Sequence, residues 1–181
     1  MTTYFYTASS LDGFIATEED SLEWLFKQDF DEEGPMAYPA FVEKIGALIM
    51  GANTYEWLLE NGGEWTYEQP TWVLTHRELG TPEGSDVRFS QDAGLAHEQA
   101  VGAAQGQGVW IVGGGGLAGE YARAGLLDEV WVQFAPVTLG SGKPLLPVAV
   151  DLELVDVARN RHFVCTRYRV VKPGTIGQGS K

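Results

Sequence analysis

Short apolar runs alternate along the chain with longer segments in which apolar residues recur at helical spacing. The first run, Thr3–Ser9, is rich in aromatic and β-branched residues and predicts a buried strand. Similar runs predict strands at residues 47–50, 70–75, 87–89, 108–112 and 129–136. Helical spacing predicts helices at residues 35–45, 91–105 and 117–124, and a further helix that Asn53 or Thr54 caps and that continues to residue 59.

The pattern changes towards the C-terminus, where two strands are predicted without a helix between them. They cover residues 152–158 and 162–171 and are joined by a turn at residues 159–161. The pattern therefore predicts a three-layer α/β fold with about eight strands, mostly parallel, helices on both faces and an antiparallel C-terminal edge. We expect one domain over residues 1–172 and a flexible, polar, glycine-rich tail at residues 173–181.

Composition narrows the functional classes. The chain has 181 residues and a net charge of −13, which disfavours nucleic acid and anionic membrane surfaces as partners. No apolar segment approaches the roughly 20 residues of a membrane span, and the first residues lack the features of a secretory signal, so a cytoplasmic location is expected. Cys165 is the single cysteine and is predicted to be buried and inert. No metal site is expected, because Val101 stands where the zinc-protease pattern that starts at His97 needs a histidine.

A run of four glycines, Gly113 to Gly116, follows the strand predicted at residues 108–112. Together with Gly119 it matches the dinucleotide-binding fingerprint, in which backbone amides and a helix N-terminus approach a diphosphate. Two details oppose an ordinary Rossmann fold: most of the chain precedes the motif, and Leu139 stands where that motif needs a carboxylate. A glycine-rich turn that binds nothing is the alternative.

Four segments in order resemble the dihydrofolate reductase-like superfamily. They are residues 9–16 (SSLDGFIA), 48–55 (LIMGANTY), 110–117 (WIVGGGGL) and 135–145 (APVTLGSGKPL). The first and last are similar to the branch formed by the reductase domain of bacterial bifunctional riboflavin-biosynthesis deaminase–reductases. Each segment alone is weak evidence, whereas four with suitable spacing are specific for the fold.

The resemblance implies that NADPH lies across the carboxyl ends of the strands. Gly114 and Gly115 would form a cis-peptide turn beside the diphosphate, and Thr75, His76 and Arg77 would meet the adenosine ribose, with His76 and Arg77 at its 2′-phosphate. An exposed loop pair is the alternative for those two, and simple capping is the alternative for Asn53 and Thr54. The full set of implied cofactor-binding residues is Ile15, Ala16, Gly51, Asn53, Thr54, Thr75, His76, Arg77, Gly113, Gly114, Gly115, Gly116 and Leu117.

The substrate side departs from the dihydrofolate-reducing members of the superfamily. Those enzymes use a carboxylate near the start of the first long helix, but residues 35–38 contain no acid, and they often carry Arg where this chain has Ala52. The resemblance therefore favours a reductase of the riboflavin-biosynthesis type, which acts on a phosphoribosylamino-pyrimidine, over a dihydrofolate or pterin reductase. A non-catalytic ligand-binding or dimerisation module on the same fold is a further alternative.

Five residues are candidates for the substrate side. Asp12 either hydrogen-bonds the cofactor amide or substrate or only stabilises a turn, and Lys143 either holds a substrate phosphate or only shapes its loop. Trp24 and Tyr38 either stack on a flat ring or belong to the core, and Gln133 is expected to point a polar group into the cleft. A homodimer is also compatible with the sequence, with Trp131 as an exposed aromatic candidate for the contact.

Overall fold

The computed structural model describes residues 1–172 as ten strands and five helices, and the predicted tail at residues 173–181 lies outside the described residues. The strands are β1 (Thr3–Ser9), β2 (Phe14–Ala16), β3 (Ile45–Gly51), β4 (Thr71–Leu74), β5 (Val87–Ser90), β6 (Gly108–Val112), β7 (Glu129–Phe134), β8 (Lys143–Pro144), β9 (Leu152–Asn160) and β10 (Phe163–Val170). The helices are α1 (Glu23–Phe26), α2 (Tyr38–Val42), α3 (Ala52–Asn61), α4 (Ala93–Ala103) and α5 (Gly115–Arg123).

Eight of these strands form one sheet in the order β5-β4-β3-β6-β1-β7-β10-β9. The central strand β1 pairs in parallel with both β6 and β7, and β3, β4 and β5 continue the parallel part. The last two strands are antiparallel, because β10 returns along β7 and β9 returns along β10. The predicted mostly parallel sheet with an antiparallel C-terminal edge is therefore confirmed.

Helices cover both faces of the sheet, because the inner strands are apolar on both sides. In β3, Ala47 and Ile49 pack in the core beneath α4 and α5, whereas Leu48 and Met50 pack in the core that includes Phe41 of α2 and Tyr55 of α3. A strand buried on both faces reads as a continuous apolar run, which explains why these strands were recognisable in the sequence.

Several predicted boundaries and caps were wrong. The helix expected at residues 35–45 is only the five-residue α2, because Pro39 sits in its first turn and β3 already begins at Ile45. Asn53 and Thr54 do not cap α3, whose N-cap is Gly51 without any side-chain capping bond. The short strands β2 and β8, which pair as a separate antiparallel ribbon, were missed because two or three residues show no periodicity.

The burial of Trp131 contradicts the prediction that it is exposed, and the burial of Cys165 agrees with the prediction for that residue. Trp131 is only 6% exposed and cannot serve as the exposed aromatic of a dimer contact. Cys165 is fully buried, as predicted, and burial raises the pKa of its thiol. In the described part of the chain, no helix is long and apolar enough to cross a membrane.

Candidate active site

Most of the predicted cofactor-binding residues follow the carboxyl ends of adjacent parallel strands, which meet at one edge of the sheet. Strand β3 ends at Gly51, β4 ends at Leu74 and β6 ends at Val112, and these three strands are hydrogen-bonded neighbours. Ligands of open α/β sheets bind outside this edge. The fold therefore brings together the segments that begin at residues 51, 75 and 113, although they are far apart in the sequence.

The glycine run divides into glycines that the fold itself requires and glycines that face open space. A Cβ at Gly113 would collide with the Thr54 side chain, and one at Gly115 would collide with the backbone carbonyls of Pro144 and Leu145. At Gly114 and Gly116, by contrast, a Cβ would meet no atom within 4 Å. Packing accounts for the first pair but leaves the second pair unexplained by any contact among the described residues.

The chain reverses at Gly113, which has a φ of 86° that side chains of L-residues rarely adopt. Gly114 is then the N-cap of α5 with φ −55° and ψ 126°. The cis-peptide turn expected at Gly114–Gly115 was wrong, since the described residues contain no cis peptide bond. The left-handed conformation of Gly113 provides the change of direction instead.

Two helices begin at this edge without side-chain caps. Neither α3, which starts after Gly51, nor α5, which starts after Gly114, has a side-chain capping hydrogen bond. Helix α4 differs, because the Asp92 side chain accepts a hydrogen bond from the Leu95 amide. The first amides of a helix have no partners within it, so those of α3 and α5 are suited to an anionic ligand.

The end of β4 and the first turns of α3 form one polar cluster. The Arg77 guanidinium donates to both carboxylate oxygens of Glu56 at 3.0 and 2.8 Å and to the Asn53 side-chain oxygen at 3.3 Å. The Arg77 amide donates to Thr75 Oγ1 at 2.9 Å, and His76 is exposed beside them. The structure thus places four predicted residues together, and it adds Glu56, an acid that the sequence analysis did not single out.

Asp12 connects the first and last of the four segments that resemble the dihydrofolate reductase-like superfamily. Its carboxylate accepts hydrogen bonds from Ser10 Oγ at 2.6 Å, from the Leu139 amide at 3.0 Å and from the Gly140 amide at 2.7 Å. The Ser10 hydroxyl and these amides lower the pKa of Asp12 to about 2, well below its usual range. This is the turn-stabilising arrangement, and a carboxylate so held is ionised at neutral pH.

Other residues of the first and last resembling segments lie in the ribbon formed by β2 and β8. Lys143 pairs with Ala16 across the ribbon, and its Nζ lies 3.7 Å from Asp20 Oδ1. Ala16 is buried, Ile15 is half-buried, and Pro144 carries the carbonyl against Gly115. The ribbon therefore lies against the start of α5, next to the glycine run.

The other three substrate-side candidates, Gln133, Trp24 and Tyr38, lie on the α2 face of the sheet. Gln133 Nε2 donates to the Met36 carbonyl at 3.1 Å, and so does the Tyr6 hydroxyl at 3.1 Å. Met36 itself has a φ of 55°, which a non-glycine residue adopts only when its surroundings hold it there. Gln133 therefore shapes the turn before α2. Trp24 is buried in a small core with Phe163, as the packing alternative expected, although its indole N–H has no partner among the described residues.

Four aromatic side chains form what we call the aromatic wall: Tyr6, Tyr38, Tyr67 and Trp110. The Tyr38 and Trp110 ring centroids are 5.8 Å apart, and those of Tyr67 and Trp110 are 6.1 Å apart. Burial raises the pKa of the Tyr6 and Tyr67 hydroxyls, which are therefore neutral. Only Tyr38 was singled out from the sequence, although the alternation within β1 and β6 places Tyr6 and Trp110 on the same face.

Comparisons with known proteins agree with this architecture. The family model of the RibD C-terminal domain matches residues 65–175. YwjB of Bacillus subtilis, an uncharacterised protein, is 31% identical over 143 residues, which are 79% of this chain and 81% of that protein.

In the part of the chain described, no group of three or more His, Cys, Asp or Glu side chains is placed to hold a metal ion.

Solved structures show the same fold. A protein of Shewanella sp. PV-4 that carries a riboflavin biosynthesis name superposes with a TM-score of 0.78 at 23% identity, over 95% of this chain and 100% of that one. The dihydrofolate reductase of Enterococcus faecalis, solved as a complex with NADP(H), superposes with a TM-score of 0.55 at 20% identity, over 93% and 96% of the two chains. The chain therefore has a dihydrofolate reductase-like α/β fold and belongs to the RibD C-terminal domain family.

Proposed function

We propose that this protein is an NADPH-dependent reductase of the riboflavin-biosynthesis type, related to 5-amino-6-(5-phosphoribosylamino)uracil reductases. The observation that carries the proposal is the open space beside three glycines at the carboxyl edge of the sheet. Gly51, Gly114 and Gly116 leave room for a ligand at the carboxyl ends of β3 and β6, beside the uncapped starts of α3 and α5. Glycines at such an edge allow a phosphate to approach the backbone amides closely.

The residues present fit NADPH at this edge. The backbone amides of residues 113–117 would hold the diphosphate. The amides that follow Gly51, together with the side chains of Asn53 and Thr54, would hold a second phosphate. Thr75, His76 and Arg77 would meet the adenosine ribose, and Ile15 and Ala16 would lie beside the nicotinamide. When bound, NADPH supplies a hydride, and the protein positions the accepting carbon and excludes water.

The substrate side supplies an aromatic surface and few charges that are free to act. The aromatic wall would contact a planar heterocycle, while Trp24 and Gln133 would set the shape of the pocket through the core and the Met36 turn. Asp12 would hold the loop at residues 138–142 rather than transfer a proton, because its pKa is about 2. Lys143 would be the cation available for a substrate phosphate, in competition with Asp20.

The cofactor assignment is tested by Gly114→Ala. Its Cβ meets open space and its φ of −55° suits alanine, so the fold is expected to tolerate the change while the methyl group obstructs the diphosphate. We expect the NADPH dissociation constant, followed by nicotinamide fluorescence, to rise at least tenfold. Gly102→Ala is the matched control, because Gly102 also faces open space but lies on α4. Absence of saturable NADPH binding to the unaltered protein, or equal binding by Gly114→Ala, would overturn the proposal.

Arg77 tests the preference for NADPH over NADH. The Glu56 carboxylate occupies both outer nitrogens of the guanidinium, so a 2′-phosphate would compete with it. We expect Glu56→Gln to increase the ratio of NADPH to NADH affinity several-fold and Arg77→Met to reduce it. Equal ratios in all three proteins would remove Arg77 from the proposed phosphate site.

The absence of an acid at residues 35–38 and the presence of Ala52 instead of Arg favour a second candidate, a non-catalytic ligand-binding module. It predicts that NADPH is not oxidised in the presence of any substrate, even where it binds. A panel containing the phosphoribosylamino-pyrimidine, dihydrofolate and a quinone separates the candidates by the loss of nicotinamide absorbance. Turnover of the pyrimidine alone supports the riboflavin-type reductase, and turnover of dihydrofolate supports a pterin reductase.

A further inference from the structure

A cavity of about 240 Å³ lies between α2 and the strands β7, β9 and β10. Trp131 of β7, Asp156 of β9 and Arg167 of β10 line it from the sheet, and Lys44, which follows α2, lines it from the other side. The rest of the lining comes from α2 and the turn before it. Pockets for drug-sized ligands enclose roughly 300–1,000 Å³, so this cavity suits a more compact molecule.

The cavity lies next to the candidate substrate side and is distinct from it. Phe41, which lines the cavity, stacks on Tyr6 of the aromatic wall with the ring centroids 4.3 Å apart. Met36 also lines the cavity, and its carbonyl accepts the hydrogen bonds from Tyr6 and Gln133. Among the described residues that line the cavity, none is a predicted cofactor-binding residue. Its ligand would therefore be a different molecule from the proposed cofactor.

Trp131 holds two cations beside the cavity. Its side chain is buried, and its indole N–H donates to the Glu129 carboxylate at 2.8 Å, which fixes the ring. The Lys44 Nζ and the Arg167 guanidinium carbon each lie 5.2 Å from the centroid of this ring. Such cation–π contacts keep both charged groups in place before any ligand arrives, which lowers the ordering cost of binding.

The two cations differ in their freedom to bind a ligand. The Glu129 carboxylate accepts hydrogen bonds from Nε and Nη2 of Arg167, both at 2.9 Å. Lys44 is exposed and forms no ion pair with any residue from 1 to 172, although the sequence has 25 acids and only 12 bases. An unpaired ammonium beside apolar side chains favours an anionic group on the ligand.

We propose that this cavity binds a small monocarboxylate with a compact apolar body. The Lys44 ammonium would donate to the carboxylate, and the apolar body would lie against Trp131, Phe41 and Met36. The proposal does not rest on the reductase activity, because it concerns other side chains and is measured without NADPH.

Asp156 separates two sources of such a carboxylate, a simple carboxylic acid and an apolar amino acid. This exposed carboxylate lines the cavity and lies opposite Arg167 in the strand register. It could accept a hydrogen bond from the ammonium group of an amino acid, and it would repel a second carboxylate on the ligand. Phenylpropionate and phenylalanine represent the two sources, because they share the aromatic body and the carboxylate and differ in the ammonium group.

Titration calorimetry of the full-length protein without cofactor tests the proposal. We expect saturable binding of phenylpropionate or phenylalanine, and binding of phenylpropylamine, which carries the opposite charge, at least tenfold weaker. Lys44→Met is expected to raise the dissociation constant at least tenfold. Lys27→Met is the matched control, because Lys27 is also exposed but lies at the end of α1, and it is expected to leave binding unchanged.

The relative affinities of the two carboxylates identify the source. Tighter binding of phenylalanine, with an advantage that Asp156→Asn removes, supports an amino acid as the ligand, and tighter binding of phenylpropionate supports a simple carboxylic acid. Absence of saturable binding by both carboxylates, equal binding of the amine, or unchanged binding by Lys44→Met would overturn the proposal.

Filling the cavity tests its location and does not depend on charge. Ala40 lines the cavity from an exposed position on α2, so Ala40→Leu is expected to keep the circular dichroism and unfolding midpoint while its larger side chain occupies the space. We expect the dissociation constant of the carboxylate to rise at least tenfold. Ala124→Leu adds the same volume at the exposed end of α5 and is the control. Carboxylate binding that persists in Ala40→Leu would show that the ligand lies elsewhere.

Discussion

Asp12 shows how a single carboxylate can organise two distant segments. Its oxygens accept hydrogen bonds from Ser10 and from the amides of Leu139 and Gly140, more than 120 positions along the chain. The bonds favour the ionised form, so they lower the pKa and link the stability of the fold to pH. The loop that Asp12 fixes leads to Lys143 and to the ribbon against the glycine run.

Asp12→Asn is expected to destabilise the fold at neutral pH and to lose this effect in acid. The folded-state pKa of about 2 lies below the usual value of 3.8, so the contribution of the carboxylate is present above pH 4 and disappears as the pH falls towards 2. Urea unfolding of both proteins between pH 2 and pH 7 checks this. Glu83→Gln, which alters an exposed carboxylate, is the control. A stability difference that stays constant with pH would contradict the expectation.

At the scale of single residues, the sequence predicted positions better than contacts. Thr54, Arg77 and the glycines could be placed at one edge, because the carboxyl ends of parallel strands meet there. The Arg77–Glu56 pair and the contact of Thr54 with Gly113 could not be predicted, since they depend on the side-chain directions of α3 relative to β6.

At the scale of elements, the junction between the glycine run and α5 is tightly packed on one side and open on the other. Gly115 has no room for a side chain against the carbonyls of Pro144 and Leu145, while its neighbour Gly116 faces open space. Two consecutive glycines of the same helix therefore have opposite requirements.

Gly115→Ala is expected to lower the free energy of unfolding by about 1–3 kcal/mol, because either α5 or the ribbon must shift. Gly116→Ala, in the same turn of the helix, is expected to be neutral or to stabilise by up to about 1 kcal/mol, since alanine is the better helix former. Chemical denaturation with a common m-value checks both. Equal destabilisation by the two substitutions would mean that the junction is not limited by the ribbon.

Element boundaries were predictable where a long apolar run or a breaker marked them. Strand β6 has the predicted bounds, because it is buried throughout and is followed directly by Gly113. The short bounds of α2 and the existence of the ribbon were not predictable, since the packing of Phe41 and the pairing of Ala16 with Lys143 are tertiary contacts without a local signal.

At the scale of the whole molecule, the net charge of −13 opposes the approach of an anionic cofactor. Any affinity for NADPH must come from local donors, chiefly backbone amides at the starts of α3 and α5. Overall charge could be predicted from the sequence, whereas the donors that compensate for it became visible only with the helix ends.

We expect the rate of NADPH association to rise with ionic strength, because salt screens the repulsion between like charges. The rise is expected to be shallower for NADH, which lacks the 2′-phosphate. Stopped-flow fluorescence at several salt concentrations measures both rates. If the association rate of NADPH falls with salt instead, local attraction by Arg77 outweighs the repulsion from the net negative charge.

The position of β1 at the centre of the sheet has a consequence for how the chain folds during synthesis. Tyr4 pairs with Trp110 of β6 and with Glu129 of β7, so β1 has neither of its neighbours until more than a hundred further residues are synthesised. Such non-local pairing slows folding and leaves an apolar strand exposed meanwhile. Nascent chains stalled before residue 108 are therefore the species that chaperones would have to protect.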